Sequence, residues 1–389
     1  MKIPKITGLF YITHIDNIPS ILRNGILSHE RIQNENIPFI PIYNEQIVSN
    51  RKDILTPDGR SLWNFANLYF QPRNPMLYRV LHEKPANQVA IISIQPTILE
   101  RSDIYVSNGN AAHSSSVILH IKESKKEMRQ IIRDTVGVQW WNDLNGSKRR
   151  IMAECLVPNV VTPEMFQAIY VGNRHAKEKV EADNRGLRLP VIIEAKMFFL
   201  PSRGIALTTN LRVAEGDMFF SRMQTLTISV NVVGIMGAGL ASRAKYQFPD
   251  VYVYYQDLCR EKKLQMGKPQ LYKREASLEH ELADDPASLS NADVAKWFLL
   301  FPTKQHWRNV ADIKGIEEGL RWIISNYKKE GIKSLAIPAL GCGLGRLEWR
   351  EVGPLMCKYL KTIEIPVSIY VPTEKKVPDE EISREFLLK

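Results

Sequence analysis

No run in this chain is apolar for long enough to cross a bilayer, which excludes a helical membrane protein. Cysteine is scarce. Cys155, Cys259, Cys342 and Cys357 show neither C-x-x-C spacing nor paired histidines nearby. No metal centre and no disulfide framework are therefore expected, and a reducing cytoplasm is the compartment that fits. Internal repeats and low-complexity tracts are lacking too. The basic opening, residues 1–9, has no apolar stretch of the secretory kind, so a cytoplasmic location with no membrane partner is expected.

What is present is the composition of a soluble globular protein. Its 389 residues suffice for two domains with separate cores, and 44% are hydrophobic and 24% charged. The net charge of +10 is uneven: 26 Lys and Arg face 19 Asp and Glu up to Ile205, against 26 and 23 beyond it. The more basic first half implies an anionic partner such as nucleic acid.

A Pro/Gly/Ser stretch at residues 200–204 sets the expected boundary, giving domains 1–205 and 206–389. Beyond it, strand-like runs at 211–213, 225–230, 297–301, 335–338 and 368–371 alternate with helical patterns. The clearest helix, 312–329, keeps Ile313, Ile316, Leu320, Ile323 and Ile324 at 3–4 spacing. Such alternation implies an α/β/α domain around a mixed, mostly parallel sheet. Residues 275–291 are acidic, polar and poorly periodic, and read as a loop or short insertion. The charged tail from Glu374 reads as loosely held. In the first half a helix at 17–24 is closed by Gly25, and β-like runs follow at 89–94, 104–106, 152–157 and 169–171. That mixture implies an α+β domain with a split, strongly bent sheet.

Two glycine-bearing loops follow apolar runs in the second half. One contains Gly234, Met236, Gly237, Ala238 and Gly239; the other contains Gly341, Cys342, Gly343, Leu344 and Gly345. Glycines let backbone N–H groups approach a phosphate closely, and a helix N-terminus adds a favourable dipole. Two such loops in one α/β unit could grip both phosphates of a diphosphate, so a nucleoside diphosphate is the expected ligand class.

With Glu215-Gly216-Asp217 and Asn231, these loops resemble a macrodomain over residues 206–373. The resemblance implies an ADP-ribose site. In it Asp217, with Met218 beside it, accepts from the adenine amino group, Asn231 lies near the distal ribose, and both loops cradle the diphosphate. The run Phe301-Pro302-Thr303-Lys304-Gln305-His306-Trp307-Arg308 narrows the subclass. It is similar to macrodomains that hydrolyse ADP-ribose from modified acceptors through a lysine. That likeness makes Lys304 the nucleophile, its amine neutralised by partial desolvation. Some relatives carry aspartate where Gly345 stands, and His306 is expected to make a structural hydrogen bond.

Residues 8–22, Asn50-Arg51-Lys52, residues 68–78 and Met152-Ala153-Glu154-Cys155-Leu156-Val157 resemble the DarT toxins, NAD-dependent ADP-ribosyltransferases of single-stranded DNA. The likeness implies an ADP-ribosyltransferase fold using NAD as substrate, without metal. Losing nicotinamide builds oxocarbenium character at the ribose, and a carboxylate beneath it stabilises that charge. Glu154 is the candidate, also able to take a proton from the attacking base nitrogen. Arg51 could hold a phosphate or polarise the base. Tyr11, Thr13, His14, Tyr69 and Phe70 are the expected NAD contacts. Aromatics interleave with Arg60, Arg73, Arg79, Lys148, Arg149 and Arg150, the usual physics of single-strand binding. Arg73 and His113, the latter in a small-residue loop at 108–116, are the expected DNA contacts.

The chain thus reads as a toxin and its antidote joined: one half transfers ADP-ribose to a DNA base, with thymine expected, and the other removes it. Three alternatives stay open. The macrodomain could only read ADP-ribose, the transferase could act on RNA or protein, or the first domain could be a degenerate binder.

Overall fold

The computed structural model describes residues 5–43, 49–184, 186, 188–275, 282–284, 296–372 and 375–389. The chain forms two compact units. The first takes residues up to Phe198 plus a later segment of which Leu282–Asp284 is described; the second takes the rest from Phe199.

The first unit is built on β1 (Leu9–His14), β2 (Ile26–Leu27), β3 (Phe65–Tyr69), β4 (Val89–Ile94), β5 (Tyr105–Ser107), β6 (Ile118–His120), β7 (Glu154–Pro158), β8 (Val160–Val161), β9 (Phe166–Val171) and β10 (Val191–Ile193). Eight of them make one sheet in the order β10-β9-β4-β1-β3-β7-β5-β6, while β2 and β8 form a separate ribbon. Neighbours run antiparallel except β9 and β10. The β-branched run Val89-Ala90-Ile91-Ile92-Ser93-Ile94 is buried along its whole length, as a strand covered on both faces must be. The expected first helix forms as Ile18–Asn24 and stops at Gly25, whose φ of +80° no side chain favours and whose N–H donates to the Ile21 carbonyl at 2.8 Å.

The second unit adds β11 (Arg203–Ala206), β12 (Leu211–Glu215), β13 (Thr225–Asn231), β14 (Gln270–Tyr272), β15 (Trp297–Lys304), β16 (Leu335–Pro338) and β17 (Val367–Tyr370), in the order β11-β12-β17-β16-β13-β15-β14. The five central strands are parallel and both edges antiparallel. Residues 203–206, which the Pro/Gly/Ser signal divides between the halves, therefore form one strand that pairs with β12. The helix Ile313–Glu330 begins at Asp312, whose carboxylate accepts from Lys314 N, and ends at Gly331 (φ +78°). Its buried stripe is Ile316, Leu320, Ile323 and Tyr327. Each such side chain contributes about 1.5–3 kcal/mol of apolar burial. Gly319 faces the same way because a Cβ there would lie 2.4 Å from the Phe301 ring.

The tail is a correction to the loose end expected from its charge. Leu387 is buried, and Trp349 Nε1 donates to the Glu381 carbonyl at 2.9 Å. A few apolar side chains outweigh the many charges. The segment 275–291 lies largely outside the described residues, but Leu282 and Ala283 within it are buried, unlike a solvated loop.

Candidate functional sites

In the second unit, β13, β15 and β16 are parallel neighbours, so their carboxyl ends share one edge of the sheet. The first glycine loop follows β13 and the second follows β16. Register brings Asn231, the last residue of β13, opposite Lys304, the last of β15. This is the crevice where open α/β sheets bind ligands. Gly239 (φ +62°) opens the helix Gly239–Gln247, so that helix N-terminus faces the loop, with Ala238 as its N-cap. Gly345 is forced by space: a Cβ there would meet the Gly341 carbonyl oxygen at 2.3 Å. Aspartate in that place is barred by the backbone itself.

Lys304 reaches across the crevice. Its Nζ donates to the carbonyls of Leu344 at 3.0 Å, Asn309 at 3.3 Å and Trp307 at 3.4 Å. Partial burial, followed by the field of Arg346, lowers its pKa below the ordinary lysine value. The neutral amine is thereby easier to reach. His306 Nδ1 accepts from Arg308 N at 3.3 Å, a turn-forming bond.

Asn231 is engaged with its own loop. Its Oδ1 accepts from Val233 N (3.0 Å), Ile235 N (3.4 Å) and the Tyr255 hydroxyl (2.9 Å), and its Nδ2 donates to Ile235 O (2.6 Å). The side chain shapes the loop. Asp217 caps the short helix Met218–Phe220 and is gripped by Arg243, whose Nη1 lies 2.8 Å from each carboxylate oxygen. The Arg243 guanidinium also lies 4.4 Å over the Phe219 ring. Met218 and Met236 are buried. Neither Arg243 nor Tyr255 stands in a motif, and sequence reasoning missed both.

In the first unit, register places Tyr69 of β3 opposite Glu154 of β7. Glu154 is fully buried and takes both nitrogens of Arg51, Nη2 at 2.7 Å and Nη1 at 3.3 Å, plus the Ala111 N–H at 2.9 Å. Arg51 and Glu154 are 103 residues apart in sequence, so no spacing rule announces the pair. A cavity opens beside it, lined by Tyr11, Thr13, Arg51, Tyr69, Asn110 and Ala112, and also by Met76, Arg79 and Asp284. Burial pushes the Tyr11 hydroxyl up to about 12. His29, also lining the cavity, is lowered to about 4, by burial first and by Arg51 second, so its ring is neutral at physiological pH. Trp63 stacks on it at 4.7 Å.

Other expected residues lie elsewhere. Strand β3 explains one: Phe65, Asn67 and Tyr69 line the cavity, whereas Ala66, Leu68 and Phe70 belong to the core on the opposite face. Phe70 is thus a core residue, and the period-2 alternation of Phe-Ala-Asn-Leu-Tyr-Phe tells the cavity-side face from the core-side face. His14 is buried outside the cavity lining, its Nδ1 accepting from Asp16 N at 3.2 Å. Arg73, expected to meet DNA, is largely buried and donates to Gln139 O at 2.7 Å. Arg79, one of the interleaved basic residues, is 1% exposed, as is Trp141. A guanidinium tolerates that only with a partner. His113 stays exposed on the loop that carries Ala111, and Arg149 Nη1 pins that loop through Asn108 Oδ1 (3.1 Å) and Ser116 Oγ (2.9 Å).

Among the described residues no group of His, Cys, Asp and Glu could hold a metal ion, and no helix is long and apolar enough to cross a membrane.

Residues 10–199 match the family described as ssDNA thymidine ADP-ribosyltransferase, DarT, and residues 287–356 match the macro domain family. A DNA ADP-ribosyl transferase–DNA ADP-ribosyl glycohydrolase fusion protein of Thermosipho africanus is 56% identical over 387 residues, covering 99% of each chain. The solved structure of Thermosipho africanus DarTG in complex with ADP-ribose is similar at a TM-score of 0.93 and 55% identity, covering 98% of this chain and 100% of that one. The DNA ADP-ribosyl glycohydrolase of Thermus aquaticus is 32% identical over 165 residues, 42% of each chain.

Proposed function

The chain belongs to the family of DNA ADP-ribosyl transferase–DNA ADP-ribosyl glycohydrolase fusion proteins, and from that premise we propose the division of labour that follows. The first unit transfers ADP-ribose from NAD to a base of single-stranded DNA, and the second removes it. The observation that carries this reading is a chain alike over nearly its whole length to such a fusion, with a separate charged centre in each unit.

In the forward reaction the C–N bond to nicotinamide breaks and its electron pair leaves with nicotinamide. The Glu154 carboxylate stabilises the oxocarbenium-like ribose. A thymine nitrogen then bonds to the anomeric carbon, and its proton passes to Glu154. Arg51 holds the carboxylate in line through its planar fork. NAD occupies the cavity beside this pair as a substrate. In the reverse reaction ADP-ribose lies in the crevice, its diphosphate on the two glycine loops and its adenine toward Asp217. The neutral Lys304 amine attacks the anomeric carbon, the C–N bond to the base breaks and the base leaves with the amine's proton, the ribose ring opens to a lysine imine, and water hydrolyses that imine to free ADP-ribose and lysine.

The test uses the full chain with NAD and a thymine-containing oligonucleotide, read by mass spectrometry. Lys304→Ala should accumulate the adduct, and adding Glu154→Ala should abolish it, a fall of about a thousandfold or more. Adduct on RNA or on the protein in place of single-stranded DNA would reassign the acceptor. Label that persists with intact Lys304 would make the second unit a reader.

A further inference from the structure

We propose that Asp284 is a positioning residue of the transferase site, acting through Arg79, although it is carried on chain that leaves and re-enters the second unit's sheet. The proposal rests on the functional reading above.

Strands β14 and β15 are antiparallel neighbours, which a two-residue turn could join. Instead residues 273–296 intervene, and Leu282–Asp284 cluster with the first unit. They are fastened there. Leu282 and Ala283 are buried, and Trp141 Nε1, itself buried, donates to the Leu282 carbonyl at 3.1 Å. That seating delivers the Asp284 carboxylate to the cavity wall, where Oδ1 accepts from Arg79 Nε at 2.7 Å. A second carboxylate on Arg79 is Glu83, at 3.3 Å and 28% exposed.

Both ion pairs, Arg51 with Glu154 and Arg79 with Asp284, therefore contribute residues to the lining of one cavity. The Tyr69 hydroxyl lies in the fields of Glu154, Arg51, Asp284 and Arg79 together. With Asp284 removed, Arg79 keeps the longer pair to the partly exposed Glu83, and a guanidinium that is 1% exposed is drawn toward any buried anion nearby. A fully buried anion beside the same cavity is Glu154, already held by Arg51. Asp284 thus keeps Arg79 neutralised and leaves Glu154 aligned for the reaction. Its role is to satisfy a competing cation, and it touches no reacting atom.

The test measures initial rates of oligonucleotide ADP-ribosylation in the full chain carrying Lys304→Ala, so that adduct is not removed. Asp284→Asn should lower kcat by about a hundredfold, the scale of a misplaced catalytic group, while KM for the oligonucleotide is unchanged. Asp284→Glu should retain most of the rate. Adding Arg79→Gln to Asp284→Asn should recover most of the loss, because the competing cation is gone; a merely structural contact would lose more. Parental kcat and KM in Asp284→Asn overturns the proposal, as does a folded double variant no faster than the single one. Should Asp284→Asn unfold, the neutral double variant decides alone, a rate near the parent supporting the proposal and a low rate overturning it. A parent that makes no adduct removes the functional reading and this proposal with it.

Discussion

The two sites are assembled in opposite ways. The crevice of the second unit is made of backbone: two glycine loops and a helix N-terminus, at the carboxyl ends of adjacent parallel strands, with one lysine reaching in. The cavity of the first unit is made of side chains drawn from distant parts of the chain, Tyr69 among them, with Arg51 paired to the Glu154 beneath and Arg79 to Asp284. A backbone site tolerates most side-chain changes and fails where a Cβ intrudes. A paired-charge site fails when one partner goes, because the other is left buried and uncompensated.

The largest expected effect tests the second half of that contrast. Arg51→Gln leaves the fully buried Glu154 carboxylate without its fork. Transfer should fall about a thousandfold, and the first unit should lose roughly 3–5 kcal/mol of stability, read by initial rates and denaturant titration. A variant of full stability and near-normal rate would show that the pairing does not matter. Next comes Gly345→Ala, a single methyl aimed at the Gly341 carbonyl. Overpacking of about 1–3 kcal/mol predicts an ADP-ribose affinity roughly ten- to a hundredfold weaker by calorimetry, with transfer untouched. Unchanged affinity would mean the loop yields freely and the backbone is no rigid mould. The smallest effect concerns Lys304, whose lowered pKa comes from burial and then Arg346. Adduct removal should rise with pH through that lowered pKa and level off, with its midpoint below the ordinary value of about 10.4. Arg346→Ala takes away a repelling cation, raises the midpoint, and should slow removal at neutral pH by about two- to fivefold. A midpoint shifted the other way would break the electrostatic account.

The same contrast explains what could be read before any coordinates. Glycine loops, Lys304 at the end of a buried strand and the stripe Ile316, Leu320, Ile323 are local signals, and the parallel sheet follows from their alternation. The helix Trp349–Leu360 gives a weaker sequence signal, because it holds Pro354 in its interior. In the first unit the family likeness brought Arg51 and Glu154 to attention, but the likeness alone gave no reason for them to touch. Phe70 was drawn toward the cavity by its neighbour Tyr69, when strand alternation turns it into the core. Arg79 falls among the expected strand-binding cations because composition cannot distinguish a solvated cation from one sealed against Asp284. Asp284 itself sits in an acidic, aperiodic stretch, and nothing in its surroundings points to a residue some 200 positions earlier.

Strands β14 and β15 leave Leu282–Asp284 in a stretch flanked on both sides by the second unit's sheet. The first unit is therefore discontinuous in the gene. No single breakpoint could divide the reading frame into two products that each keep all their own parts. Separate transferase and glycohydrolase genes made from this one by fission would need either a replacement anion for Arg79 or a copy of that tract moved across the cut.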